Sequence, residues 1–393
     1  MVWRTLTDQP DPKVPFLETL PLGWRDGVSV LLSIIPILTV FPLLFALTTV
    51  IERKVLGRIQ NRRGPNRVGP AGFLQFAADG LKTLTKEDIV PRAADPVLHF
   101  LAPLALVVPV LLTFSVLPFG KYLVPIDLDA GLVFFFSVGA ASELAVFMAG
   151  WASHNKYSLL GALRAIAQMI SYEIPLILSS LSVVLVVGSL SLTTIVEAQS
   201  ARSGELFASW HVFTPWGLAG FLLFLIAACA EANRSPFDLP EGESEIIAGY
   251  YLEYSGFKFA LFFLGEYLGL FSASGLAITL FLGGWNAPLG FMQAWLPSWM
   301  WFLGKLAIIV LFFIWVRGTL PRLRMDQLMN LAWKFMIPMT LVTLIAAGCW
   351  HHVSHPLLRW MVSGGLILGA YWILSRALMP QHRVGRRVYR YAD

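Results

Sequence analysis

Nine runs of apolar residues punctuate the chain, at about 28–52, 98–118, 130–151, 159–187, 215–232, 257–283, 299–317, 331–350 and 358–378. Roughly twenty helical residues cross a bilayer's hydrocarbon layer, so each run is long enough to do so. Backbone polar groups find no water at that depth and must be satisfied within a helix or around a closed barrel. The runs exceed a barrel strand in length and lack its period of two. The expected fold is an all-α polytopic membrane protein with about nine transmembrane helices. Composition agrees, since only 13% of the 393 residues are charged, about half the share in an ordinary soluble domain. The first run shows no small-residue cleavage pattern, so it reads as a retained span in a chain that starts near Met1.

The cations sit between the runs. Arg53, Lys54, Arg58, Arg62, Arg63, Arg67, Lys82, Lys86 and Arg92 follow the first run, and Arg317, Arg322, Arg324 and Lys334 follow the seventh. The alternate loops are nearly bare of positive charge, and Arg376, Arg383, Arg386, Arg387 and Arg390 follow the ninth run. Positive charge marks the cytoplasmic side, which puts the N-terminus outside and the C-terminus inside. This distribution leaves no soluble basic domain to bind nucleic acid. The two cysteines, Cys229 and Cys349, lie far apart within apolar runs, which argues against a disulfide framework, a thiolate-held cluster or zinc. His351, His352 and His355 have no flanking carboxylate or cysteine and stand beside Pro356, a weak pattern for a metal site.

Three features carry more than orientation. The loop at 53–97 opens with turn residues, but from Gly72 onward Phe73, Phe76, Ala77, Leu81 and Leu84 recur at helical spacing opposite Asp79, Lys82 and Lys86. That pattern predicts an amphipathic helix lying at the interface. Glu143, Glu173, Glu231 and Glu266 fall within four different apolar runs. Each costs roughly 2.5–3.5 kcal/mol near a helix centre, and such residues mark ion paths. Structural pairing with Lys305, Arg164 or a freed backbone carbonyl is the alternative. Finally, Asp238, Glu241, Glu243, Glu245 and Glu253 crowd the loop at 233–256, interleaved with Pro236, Phe237, Pro240, Ile246, Ile247, Tyr250 and Tyr251. A solvated acidic loop is the ordinary explanation. The apolar residues favour partial burial, which would move carboxyl groups toward proton handling; on the residues alone both readings stay open.

The segments ERKVLGRIQNRRGPNRVGPAGFLQFAADGLKTLTKED, AEANRSPFDLPEGESEIIAGYYLEYSGFKFALFFLGEY and WVRGTLPRLRMDQLMNLAWKFMIP together closely resemble one family of membrane proteins. Its members are the quinone-site membrane subunits, the H subunits, of proton-pumping NADH:quinone oxidoreductase, respiratory complex I. The likeness runs from about Val28 to His351 and implies an eight-helix core, with the run at 358–378 an addition found in some members. It implies a translocase subunit of a respiratory chain in a bacterial cell inner membrane, acting on a quinone such as ubiquinone. Arg53, Arg62 and Arg317 would line the quinone channel with Phe237, and Asp79 would lie near its inner end. Glu143, Glu173, Glu231 and Glu266, joined by Glu241, Glu243 and Glu245 of the acidic loop, would form the proton path. Flavin and iron–sulfur clusters would belong to hydrophilic quinone-module partners, and small membrane-arm subunits and lipid would complete the surroundings. The equivalent subunit of a membrane-bound hydrogenase or ferredoxin-linked complex is the near alternative, and a stand-alone ion transporter the distant one.

Overall fold

A computed structural model describes residues 22–121, 123–200, 208–238, 248–290, 292 and 295–378. The chain begins with α1 (Leu22–Ile59) and, after a short turn at Pro70–Gly72, continues in α2 (Gln75–Thr85). There follow α3 (Pro96–Thr113), α4 (Gly131–Ala152), α5 (Lys156–Val187) and the short α6 (Leu192–Ala198). Beyond them lie α7 (Pro215–Glu231), α8 (Gly256–Phe281) and α9 (Ser298–Thr319). A continuous rod of α10 (Met325–Leu331), a π-helical segment (Ala332–Met336) and α11 (Ile337–His352) precedes α12 (Pro356–Leu378). No strand is present among the described residues.

Among the described residues eight helices are long and apolar enough to cross a membrane, and Pro215–Glu231 is a shorter apolar helix of 17 residues. At 1.5 Å per residue that helix is about 25 Å long, at the lower limit for a crossing. The nine expected runs therefore all fold as apolar helices. The first differs from expectation at its end, because α1 continues to Ile59 and carries Arg53, Lys54 and Arg58 out of the apolar region as helix rather than loop. The amphipathic segment forms α2 as its spacing predicts.

Helix boundaries follow local chemistry. Asp95 accepts from the backbone N–H groups of Val97 and Leu98 at 3.0 and 3.2 Å ahead of Pro96, and Thr214 accepts from Gly217 N–H at 3.1 Å ahead of Pro215. Both pair a side-chain cap with a proline that needs no donor partner. Gly188, at φ 77°, ends α5 in the left-handed conformation that a residue without Cβ adopts cheaply. Burial then orders the bundle. In the most apolar stretch of α8, 72% of the residues are buried, against 6% in α12. Thus α8 is the central post, packed against α3, α7 and α9, whereas α12 leans on α11 and α7 from outside.

Candidate functional site

Glu52 of α1 is only 4% exposed. Thr48 and Val50 beside it are equally buried, so the last apolar turns of α1 direct the carboxylate inward while Arg53 faces out. Three other elements converge on it. Arg317, near the end of α9, donates to Oε1 of Glu52. Tyr267 of α8 donates its hydroxyl to Oε2 at 2.5 Å. Arg234, three residues past α7, brings Nη1 to 3.8 Å from Oε1 and lays its guanidinium 3.7 Å from the Tyr267 ring centroid.

Arg234 is aimed by the turn before it. Asn233 takes a positive φ of 48°, and Arg234 N–H folds back onto Cys229 O at 3.1 Å. Leu323 N–H donates to Pro236 O at 3.1 Å, and Arg322 donates to the buried Asp238 at 2.9 Å. The segments that carry the two arginines are thereby tied together. Burial works against the charge on Arg234, but Tyr267, Glu52 and Glu266 outweigh it and hold the guanidinium above the ordinary arginine range. The result is one carboxylate shared by two cations, in surroundings where charge interactions are strong.

The expected channel residues separate into distinct places. Arg53 pairs with Asp79 of α2 at 2.5 Å, and Gln75 donates to the other oxygen of Asp79 at 3.1 Å, which links α1 to α2. Arg62 instead lines a basic hollow of about 480 Å³ with Lys54, Arg58 and Arg63. Phe237 stands 5.4 Å from the ring of Tyr172 and lines an apolar groove of about 350 Å³ between α7 and α9, with Leu225, Phe313 and Val316. Only Arg317 joins the buried cluster. The Arg53–Asp79 pair is half exposed on the arginine side, so Arg53→Gln is expected to change the thermal stability of the purified protein by less than about 1 kcal/mol.

The four intramembrane glutamates converge in part. Glu143 of α4, Glu173 of α5 and Glu231 at the end of α7 lie on helices of which α5 packs against both α4 and α7. Glu266 of α8 accepts from Tyr250 at 3.1 Å. One small cavity is lined by both Glu231 and Glu266. Tyr250 is fixed by a close backbone approach, since a Cβ on Gly161 would lie 2.6 Å from Gly249 Cα. Glu241, Glu243 and Glu245 lie outside the described residues.

Lys305 binds backbone rather than these acids. Its ammonium donates to the carbonyls of Leu282, Gly284 and Asn286 at 2.6, 2.8 and 2.6 Å, twelve residues or about 18 Å along α9 from Arg317. The ammonium also caps the ring of Trp210 at 4.2 Å. His211, the next residue, is buried, and burial pulls its imidazole down to about 4, leaving it neutral. Among the described residues no group of three His, Cys, Asp or Glu side chains could hold a metal ion, and both cysteines are free thiols.

Sequence reasoning did not single out Glu52, Arg234 or Tyr267. One signal was available, a glutamate one turn after Thr48 on an apolar face; the polar neighbours of Arg234, Asn233 and Ser235, gave none.

A family profile described as NADH dehydrogenase matches residues 32–348. The H subunit of the NADH-quinone oxidoreductase of Dehalococcoides mccartyi strain CBDB1 is 50% identical over 295 residues, covering 75% of this chain and 79% of that protein. The corresponding protein of Verminephrobacter eiseniae strain EF01-2 is 46% identical over 344 residues, 85% of this chain and 95% of that one. That of Geobacillus kaustophilus strain HTA426 is 46% identical over 332 residues, 84% and 96% of the two chains. The profile match ends before α12 begins.

Proposed function

The chain belongs to the NADH dehydrogenase family, and from that premise we propose that it is the membrane subunit through which an NADH:quinone oxidoreductase couples quinone reduction to proton translocation. The observation that carries the proposal is a series of charged groups leading from the buried Glu52 to the half-buried glutamates of α4, α5, α7 and α8. Glu52, Arg234 and Arg317 form one cluster, Glu266 stands next in the chain to Tyr267 of that cluster and shares a cavity with Glu231, and Glu143 and Glu173 lie on α4 and α5, with α4 packed on α5 and α5 packed on α7.

The quinone is the substrate, held jointly with partner subunits. Two features of this chain suit it. The apolar groove beside Phe237 is lined by Val316, the neighbour of Arg317 in the chain, and matches the chemistry of an isoprenoid tail. The exposed apolar side chains of α2, Leu81 and Leu84, suit an entrance at the membrane interface beside Arg53 and Asp79. A charge change on quinone reduction would alter the balance in which two guanidiniums share Glu52, and Arg234 would pass that change to Glu266. A coupling of this kind is a free-energy difference between two states, each favouring a different protonation of the glutamates. Electrons would arrive from redox groups on hydrophilic partners. The basic residues at the ends of α1 and α9 and in the loops that follow them support a cytoplasmic face for the cluster in a bacterial inner membrane, with the N-terminus outside and the C-terminus inside.

The test is Glu231→Gln in the purified complex reconstituted into liposomes. NADH-driven proton uptake is expected to fall by about tenfold or more, while NADH oxidation by a water-soluble artificial acceptor stays at its original rate. Proton pumping at the unaltered rate would overturn the proposal. Proton or ion transport by this chain alone in liposomes would point instead to a stand-alone transporter.

A further inference from the structure

The last helix, α12, lies beyond the reach of the family profile, whose match ends at residue 348. It packs antiparallel to the rod that ends in α11. Trp350 meets Trp360 with ring centroids 5.7 Å apart toward one end, and Phe335 meets Tyr371 at 6.0 Å toward the other. Lys334 precedes Phe335 and Arg376 follows Tyr371, so both cations stand on the same side of the second contact. On the orientation proposed above, that side is cytoplasmic. Among the described residues neither cation forms an ion pair. Arg359, at the other end of α12, donates to Val353 O, whereas Arg376 only stacks its guanidinium 3.8 Å from the Trp372 ring centroid.

Arg376 also closes a stripe. Met361, Gly365, Leu368, Trp372 and Arg376 follow one another three or four residues apart, the spacing of one helical face, and all five are exposed. From Met361 to Trp372 the stripe runs about 16 Å, close to half of a hydrocarbon layer roughly 30 Å thick, which is the depth of one leaflet. An apolar lane, then an aromatic ring, then a cation is the order in which a lipid offers its acyl chain, its interface and its headgroup. From Pro356 to Arg390 the sequence carries no acidic side chain, and Arg383, Arg386, Arg387 and Arg390 follow beyond the described residues. Orientation needs only a few cations, and the ends of α1 and α9 with their loops already supply them.

We propose that α12 is a docking surface for an anionic phospholipid, whose phosphate meets Arg376 and Lys334 and whose acyl chain lies along the stripe from Met361 to Trp372. The four arginines beyond the helix extend the contact to neighbouring headgroups. Beside a negatively charged lipid surface each such cation strengthens binding roughly fivefold, an attraction that fades within a Debye length. The surface tethers this end of the subunit to a charged leaflet and takes no part in the quinone or proton chemistry. Only the choice of leaflet rests on the orientation given above.

The test uses the purified complex in nanodiscs of mixed phosphatidylglycerol and phosphatidylcholine. One lipid at a time carries a photoreactive acyl chain, and cross-links on α12 are located by mass spectrometry, with quinone reductase activity reporting assembly. Phosphatidylglycerol is expected to label the stripe at least about fivefold more than phosphatidylcholine at equal mole fraction, and the preference should shrink at high salt. The double variant Lys334→Gln, Arg376→Gln is expected to lose most of that preference. Replacing Arg383, Arg386, Arg387 and Arg390 by glutamine should weaken it while altering no residue of the described helices, so that variant decides the matter if the double variant does not assemble. Equal labelling by the two lipids, or a preference that the deciding variant keeps in full, overturns the proposal. So does a stripe labelled by neither lipid because a helix of another subunit covers it. Since the readout is lipid contact, each of these results leaves the coupling reading untouched.

Discussion

Replacing Glu52 with leucine is expected to destabilise the folded subunit by about 3–5 kcal/mol, the usual result of removing one member of a buried ion pair. The cost lies in what remains. Arg317 is one-third exposed on its side chain and can turn to water, but Arg234 is 9% exposed and cannot. Tyr267 loses its acceptor at the same time. Glu52→Gln retains an oxygen for Tyr267 but leaves the guanidiniums facing one another without a counter-charge, so it should recover only part of the loss. Thermal melting of the purified complex and the amount of chain retained in membranes measure the effect. Quinone reductase activity should fall with both variants, because the arginine geometry depends on the carboxylate. A melting profile for Glu52→Leu that overlays the original would show that the cluster contributes nothing to the fold.

The second large effect is expected at the opposite end of α9. Lys305→Met keeps most of the apolar stem and deletes the three donors that satisfy the carbonyls of Leu282, Gly284 and Asn286. Hydrogen bonds to charged groups contribute about 1.5–3 kcal/mol each, and their loss leaves buried acceptors unmade; a net cost of at least about 3 kcal/mol follows. These carbonyls lie just beyond α8, where Gly283 and Gly284 turn with positive φ, and Gln199 supports the same turn by accepting from Gly283 N–H at 3.0 Å. The expected readout is faster proteolysis between α8 and α9, together with lower thermal stability. Lys305→Arg should not restore either, because a planar fork cannot direct its donors to three convergent carbonyls as an ammonium does.

Glu52 and Lys305 differ in how far the sequence alone reveals them, and the reason is physical. Hydropathy is a sum over many residues, so the apolar helices could be read from composition along the chain. The face of α2 was also legible, because its apolar residues repeat at helical spacing. The intramembrane glutamates were legible as costly exceptions to an apolar background. Glu52 was not, since it opens a run of charges, ERK, that reads as the end of a membrane span and the start of a solvated loop. Only the continuation of α1 to Ile59 separates the inward Glu52 from the outward Arg53. Arg234 was obscured similarly: its burial depends on the turn at Asn233 and on the distant segment around Arg322. Lys305 was legible as a possible partner for a glutamate, but an ammonium bonds equally well to carbonyls. Its choice is set by the turn after α8, which pattern alone does not place beside α9.

The π-helical segment at Ala332–Met336 has a bearing on how this rod can change over generations. A π turn closes its hydrogen bonds one residue later than an α turn, so the chain spends one residue without advancing the helical phase. Every side chain beyond Met336 is thereby set about 100° away from where an unbroken α-helix would carry it. That offset is what keeps Thr340, Thr343, Ala346 and Ala347 fully buried. The segment behaves as a one-residue insertion absorbed in place, and a one-residue gap there is the length change that leaves the inward face of α11 where it is.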